Sequence, residues 1–167
     1  MKEIYTRRSI RKYEDKPVTD EQIHELLRAA MYAPSAGNEK PWHFVVIKDR
    51  AILNEITTYH PHTQMLKEAP LAIAACCDMS NLKYDGAFWL QDMGACIQNI
   101  LLQAESMGLG TCWCGVHARQ ELVEKVSKTL SLPEHIIPVA IVAVGYPGEK
   151  REVRERFNPE RVHYNKW

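Results

Sequence analysis

The sequence lacks net charge, because its 21 Lys and Arg residues are balanced by 21 Asp and Glu residues. A chain without an excess of positive charge has no broad basic face with which to attract a polyanion. Nucleic acid is therefore not expected as a partner. A local cluster of cations can still bind a single phosphate group.

Long apolar runs are also missing. The longest stretches, around Pro70–Cys77 and Val139–Val144, are far too short to span a bilayer, and Met1-Lys2-Glu3-Ile4 lacks the apolar segment of a secretory signal. We therefore expect a cytoplasmic protein with no membrane partner. The five cysteines, an odd number without a secretory signal, are typical of free thiols and not of a disulfide framework.

A length of 167 residues with 46% hydrophobic and 25% charged residues predicts one folded domain covering residues 1–167. Helical and strand-like patterns alternate along it, which predicts an α/β or α+β sandwich. Helices are predicted from Thr19 to before Pro34, over 51–67 with an interruption at Pro61, from near Asp85 to Gly108, and around Leu122–Leu130. Strands are predicted at 43–48, 70–77, 111–115 and 137–145.

The last segment, residues 146–167, has a different composition. It contains prolines, a glycine and many charges, followed by Phe157, Val162, Tyr164 and Trp167. Apolar groups spaced along an extended and otherwise polar segment usually pack against something. We expect a C-terminal arm that packs on a partner subunit or folds back on its own chain.

Three clusters could carry chemistry. The first, Arg7-Arg8-Ser9-Ile10-Arg11-Lys12, is either a solvated basic surface or a phosphate cradle, since guanidinium groups suit phosphate oxygens. The second, residues 33–42, offers hydrogen-bonding groups in Ser35 and Asn38 and a flat face in Trp42, which would suit a planar heterocycle. The third, Gly108–Gly115, is rich in glycine and allows close backbone approach.

The third cluster does not match a dinucleotide-binding fingerprint, because Trp113 stands where the third glycine of GxGxxG belongs. P-loop and GxSxG spacings are absent as well. A metal site remains an alternative, although no cysteine pair has CxxC spacing. Its candidate ligands are Cys76, Cys77, Cys96, Cys112, Cys114, His60, His62 and His117.

The three clusters, in this order, resemble the FMN-dependent nitroreductase family and its compact members in particular. The likeness runs from Arg7-Arg8-Ser9-Ile10-Arg11 through the loop Pro34–Trp42, with its PSxxNxxPW pattern, to the end at Val162–Trp167. The resemblance implies an α+β three-layer α/β/α sandwich with a mixed sheet. It also implies an intertwined homodimer with two FMN sites at the subunit interface.

Residue by residue, the resemblance implies that Arg7 and Ser9 hold the FMN phosphate and ribityl chain, with Arg8 contributing its backbone. Arg11 would lie at the pyrimidine edge of the flavin and stabilise the negative charge of the reduced ring. Arg154 and Arg156 would complete phosphate binding, with Lys150 or Arg151 as alternatives. The residues expected along the ring are Pro34, Ser35, Ala36 and Asn38 from the partner subunit, and Gln64, Trp113, Cys114 and Gly115. Lys40 stands where the family often has Gln.

The resemblance implies an enzyme in which NADH or NADPH reduces bound FMN and leaves. A nitroaromatic, a quinone or another small electron-poor acceptor then takes the electrons in a ping-pong exchange. No catalytic nucleophile and no metal are expected. A flavin-binding module without turnover and a Cys/His metal-binding protein are the alternative functions.

Overall fold

The computed structural model describes residues 2–167. Five α-helices and four β-strands alternate along most of this range, with short 3₁₀ turns at Ala36–Asn38, Gln64–Lys67, Tyr84–Gly86 and Pro159–Arg161. The helices are α1 (Glu3–Thr6), α2 (Asp20–Met31), α3 (Arg50–Tyr59), α4 (Trp89–Ser106) and α5 (Gln120–Thr129). The strands are β1 (Trp42–Ile47), β2 (Leu71–Asp78), β3 (Gly110–Gly115) and β4 (Ile136–Gly145).

The four strands form one sheet in the order β1-β2-β4-β3, and every neighbouring pair is antiparallel. The expectation of a mixed sheet is wrong for these strands; a parallel pairing occurs at the isolated bridge between Ser9 and Thr111. Alternating helices and strands favour parallel neighbours. Strand direction, however, depends on which end of the sheet each connection returns to, and the apolar pattern does not record this.

Helices cover both faces of the sheet, as the three-layer prediction requires. In β2, Leu71 and Ile73 belong to one core cluster, together with apolar residues of α2 and α4. The intervening Ala72 and Ala74 belong to a second cluster, with residues of α3 and α5. Burial on both faces explains why β2 and β4 have continuous apolar sequences. The α+β three-layer sandwich is confirmed.

Helix α2 begins where the sequence predicts. The Thr19 hydroxyl accepts from the amide of Gln22 (3.2 Å), and the Gln22 side chain accepts from the amide of Thr19 (3.0 Å). These reciprocal bonds form a capping box, which satisfies amides that the first helical turn leaves free.

Helix α4 is the longest of the five, and it begins at Trp89 instead of near Asp85. The reason is that Tyr84 and Asp85 have φ angles of 52° and 53°, which interrupt a helix and form a separate 3₁₀ turn. Met93, Ile97 and Ile100 of α4 are fully buried. No helix in residues 2–167 is both long and apolar enough to cross a membrane.

The C-terminal arm leaves the body of the protein later than the sequence suggests. Residues 146–148 pair with the N-terminal segment, because the amide of Glu14 donates to Tyr146 O (3.0 Å) and that of Gly148 to Lys12 O (2.8 Å). From residue 150 to 167 every residue is exposed. Phe157, for example, is 71% exposed. The arm therefore does not bury its apolar groups against its own chain.

Candidate functional site

The N-terminal cations lie beside the glycine-rich strand β3. Ser9 forms a bridge with Thr111, and the amide of Ile10 donates to Thr111 O (2.9 Å). Gly110 permits this approach, since a Cβ atom there would lie 2.8 Å from the Ile10 side chain. The structure thus brings the first and third sequence clusters together.

One cavity, here called the β3 cavity, has a volume of about 570 Å³ and opens along this strand. Such a volume is ordinary for a small-molecule site. Of the predicted site residues, Arg11, Gln64, Trp113, Cys114 and Gly115 line it. The other lining residues, which the family resemblance did not place at the flavin, are Lys12, Pro61, His62, Met65, Glu68 and Cys112.

A second cavity, here called the cationic cleft, has a volume of about 670 Å³. Arg11 lines both cavities, so the two adjoin at its side chain. Six cationic side chains and two carboxylates line the cleft, which leaves an excess of positive charge. The lining residues are Arg8, Ser9, Arg11, Lys150, Arg151, Glu152, Arg154, Glu155 and Arg156.

Ion pairs neutralise part of the positive charge of the cationic cleft and leave the rest. Arg154 pairs with Glu152 (3.1 Å), and Arg151 pairs with Glu149 (2.9 Å). The Glu149 carboxylate also accepts from the amide of Arg11 (2.7 Å), which together with Arg151 lowers its pKa. The predicted phosphate ligand Arg7 lines neither cavity, but its pKa is lowered by burial and then by the nearby charges of Arg156 and Arg8. Mutually repelling cations of this kind favour an anion between them.

The guanidinium of Arg8 connects the N-terminal segment to the arm. It donates to the carbonyl oxygens of Tyr5 (2.8 Å), Arg7 (2.7 Å) and Glu152 (3.0 Å). Its Nη2 atom is buried and has no hydrogen-bond partner within residues 2–167. A buried donor without an acceptor is costly, so this nitrogen would gain from an anionic ligand in the cleft.

His60 contacts Gly115 of the β3 cavity lining, whereas the sequence suggested only a metal ligand. It is 1% exposed. Its Nδ1 accepts from the amide of His62 (3.3 Å), so Nε2 carries the proton that it donates to Gly115 O (2.9 Å). Burial lowers the pKa of His60, which keeps the ring neutral. The sequence signal for this role is weak: a histidine directly after an amphipathic helix.

The side chains of β3 alternate between the interior and the surface. Cys112 and Cys114 are each 3% exposed, whereas Trp113 between them is 40% exposed. The neighbouring Cys114 thiol lowers the pKa of Cys112, whereas the same neighbour and burial raise the pKa of Cys114. The Cys114 thiol also donates to His62 O (3.1 Å). The strand therefore offers an indole and backbone groups outward and two thiols inward.

The loop Pro34–Trp42 lies against the beginning of α4. The amide of Ala36 donates to Asp92 Oδ1 (3.0 Å), and Lys83 Nζ donates to Gly37 O (2.6 Å). Within the loop, the Ser35 hydroxyl accepts from the amide of Lys40 (3.0 Å). The structure keeps Pro34, Ser35, Ala36 and Asn38 together in this loop, and within one chain it does not bring them to the β3 cavity.

Asp92 was not predicted as a site residue. It is a buried carboxylate on the apolar face of α4, and its Oδ2 has no hydrogen-bond partner among residues 2–167. Burial raises its pKa, as does the neighbouring Glu39 carboxyl of the loop. A charged residue at an apolar position of the helical pattern was the available signal.

All five cysteines are free and buried, as predicted for thiols. Within residues 2–167, no three His, Cys, Asp or Glu side chains are placed together to hold a metal ion.

The Nitroreductase family model matches this sequence over residues 4–63 and 59–146. The chain belongs to this family. A Methanothermobacter thermautotrophicus protein assigned as an NADH dehydrogenase/NAD(P)H nitroreductase is 48% identical over 164 residues, covering 98% of this chain and 85% of its relative. Membership confirms the family resemblance and the enzyme class predicted from the sequence.

Solved structures of family members agree with the fold described above. A Parabacteroides distasonis protein, assigned in the same words, superposes with a TM-score of 0.94 at 42% identity, covering 99% of this chain and 97% of the other. An FMN-dependent nitroreductase from Clostridium difficile gives a TM-score of 0.89 at 30% identity, covering 99% and 98%. The match thus extends over nearly the full length of each protein.

Proposed function

We propose that this nitroreductase-family member is an FMN-dependent oxidoreductase that transfers electrons from NADH or NADPH to nitroaromatics, quinones or similar small acceptors. The observation that supports this most strongly is the junction at Arg11. There, a cavity of mixed polarity meets a cleft with an excess of positive charge. A ligand with a flat polar ring and a phosphate tail would fill both.

The residues present fit FMN. Arg8 and Ser9 would hold the phosphate with Arg154 and Arg156, and Arg7, which does not line the cleft, would add its charge from beside Arg8 and Arg156. The orphaned Nη2 of Arg8 would gain an acceptor. Lys150 and Arg151 line the same cleft and could share this role. In the β3 cavity, Trp113 and the backbone of Cys114 and Gly115 would lie along the ring, while Gln64 offers an amide to its polar edge.

Bound FMN would supply two-electron chemistry, accepting from the nicotinamide and passing the electrons to the second substrate in a ping-pong exchange. The protein would position the bound FMN and supply charge beside it. Arg11 places a cation at the junction of the two cavities, where it would stabilise negative charge that accompanies reduction. His60 holds the Gly115 carbonyl, which fixes the backbone along the cavity floor.

A homodimer would complete the site. The loop residues Pro34, Ser35, Ala36 and Asn38 do not reach the β3 cavity of their own chain, so we assign them to the cavity of a second copy. The exposed arm, with Phe157 and Trp167, would bury its apolar groups on that copy. The five free thiols suit a reducing compartment, and we place the enzyme in the cytoplasm.

The test is anaerobic reduction of the FMN-loaded protein by NADH and by NADPH in separate samples. We expect the visible flavin absorption to bleach with at least one donor and to return on addition of a nitroaromatic or a quinone. Steady-state rates measured against acceptor concentration, at several fixed donor concentrations, should give parallel double-reciprocal lines. If flavin binds but is never reduced, the chain is a flavin-binding module without turnover and the proposed activity is wrong.

A further inference from the structure

Three sulfur-containing residues, Met65, Cys112 and Cys114, line the β3 cavity. Cys112 and Cys114 line it and belong to the same core cluster, on the same face of β3. The Sδ atom of Met65, from the 3₁₀ turn after α3, lies 4.0 Å from Cys114 Sγ. The mechanism proposed above uses none of these sulfurs, because it assigns only the backbone of Cys114, and not its thiol, to the ring.

The spacing of the two thiols favours a shared ion over a disulfide. Two residues on one face of a strand have Cα atoms about 6.6 Å apart, which is near the upper limit for a disulfide of about 6.8 Å. An ion reached by each sulfur at about 2.3 Å tolerates a wider separation than a direct sulfur–sulfur bond does.

The donor set selects the kind of ion. Zinc requires four ligands, and within residues 2–167 no three His, Cys, Asp or Glu side chains are grouped to hold it. Two thiolates with one thioether are soft donors that suit monovalent copper. Arg11 lines the same cavity and carries a positive charge, which compensates the net negative charge of a copper(I) bis-thiolate.

We propose that Cys112, Cys114 and Met65 form a binding site for Cu(I) in the wall of the β3 cavity. On binding, two sulfur–copper bonds form, the two thiols lose their protons to solvent, and the thioether of Met65 completes the coordination. No electron is transferred, because copper enters and remains in the monovalent state.

The other cysteines do not offer a comparable site. Cys76 and Cys77 are consecutive in β2 and point into opposite core clusters, so they cannot share one ion. Cys96 is buried in α4, and its thiol donates to the carbonyl of Met93 (3.3 Å). Cys96 therefore provides a matched control: a buried thiol on another element that does not line the β3 cavity.

The test is titration of the FMN-loaded protein with Cu(I), in competition with a chromogenic Cu(I) chelator under anaerobic conditions. We expect one Cu(I) per chain. Cys112→Ser and Cys114→Ser should each weaken the apparent affinity by more than about 100-fold, because each removes a sulfur bound directly to the ion. Met65→Leu should weaken it by about 10-fold, whereas Cys96→Ser should bind as tightly as the wild type.

Circular dichroism and flavin content are recorded for every sample, so that loss of copper binding is distinguished from unfolding and from loss of FMN. Absence of stoichiometric binding in the wild type would overturn the proposal. So would equal affinity of the wild type and a folded Cys112→Ser variant, or a loss of binding in Cys96→Ser as large as that in Cys112→Ser.

Discussion

At the scale of single residues, Arg11 and His60 have complementary tasks. Arg11 is the side chain common to the β3 cavity and the cationic cleft. His60 is a neutral buried ring that donates to Gly115 O on the cavity floor. One supplies charge to a ligand, and the other fixes the backbone that the ligand would contact.

Replacing Arg11 with Ala should weaken FMN binding by about 10- to 100-fold, because a hydrogen bond to a charged group contributes about 1.5–3 kcal/mol. The further loss of Arg7 in an Arg7→Ala, Arg11→Ala double variant should reduce flavin retention more. Fluorescence titration with FMN measures both. Arg11→Lys, which keeps the charge, should lie between Arg11→Ala and the wild type; an unchanged dissociation constant in the double variant would refute these roles.

The lowered pKa of His60 predicts that the protein is less stable in mild acid. The unfolded chain protonates this histidine below a pH of about 6.5, whereas the folded protein resists protonation. The free energy of unfolding should therefore fall as pH decreases from about 6.5 toward the lowered pKa. Urea unfolding across this range measures the effect.

His60→Gln should flatten that pH dependence, and His24→Gln at an exposed position of α2 should leave it in place. Identical slopes for the wild type and His60→Gln would show that the buried ring does not control acid stability.

At the scale of elements, the loop Pro34–Trp42 depends on α4 for its position. Gly37, Asn38 and Lys40 all have positive φ angles, of 55°, 56° and 50°. The amide of Ala36 is held by Asp92. An irregular backbone of this kind persists when neighbouring groups constrain it.

Asp92→Asn should raise the melting temperature at pH 8. The amide keeps an oxygen for the Ala36 amide and removes a buried charge beside Glu39, which together with burial raises the pKa of Asp92. The gain should shrink as the pH falls and the wild-type carboxyl becomes protonated. Asp92→Leu loses the hydrogen bond and should cost about 1–3 kcal/mol. A lower melting temperature for Asp92→Asn at pH 8 would contradict this account.

The elements also show how far the sequence predicts the structure. The cap at Thr19 and the apolar run of β4 depend on local chemistry, and both were predicted to within a residue or two. The late beginning of α4 depends on the positive φ angles of Tyr84 and Asp85, which the apolar pattern does not contain. Likewise, the docking of Ala36 on Asp92 joins residues far apart in sequence, so the loop's place against α4 could not be predicted.

At the scale of the whole molecule, the exposed arm is the feature that a monomer does not explain. Residues 150–167 are exposed throughout, and they include the large apolar side chains of Phe157, Tyr164 and Trp167. A body buried on both faces of its sheet does not need this arm for its own core. A second copy of the chain would give the arm a surface to cover.

A Phe157→Ala, Trp167→Ala double variant should therefore shift the protein from dimer toward monomer and weaken FMN binding in parallel. Light scattering after size-exclusion chromatography measures the mass, which for the wild type should be about twice 19.2 kDa. Tyr5→Ala alters an aromatic residue that is equally exposed but lies outside the arm, and serves as the comparison. A wild type that elutes as a monomer would contradict the proposed assembly.

The most direct measurement is a titration of the purified, flavin-free protein with FMN, followed by quenching of flavin fluorescence. Our account predicts saturable binding of one FMN per chain, competed by other flavin phosphates and much weaker for riboflavin, which lacks the phosphate that the cationic cleft would hold. A protein that binds no FMN, or that binds riboflavin as tightly as FMN, would contradict it.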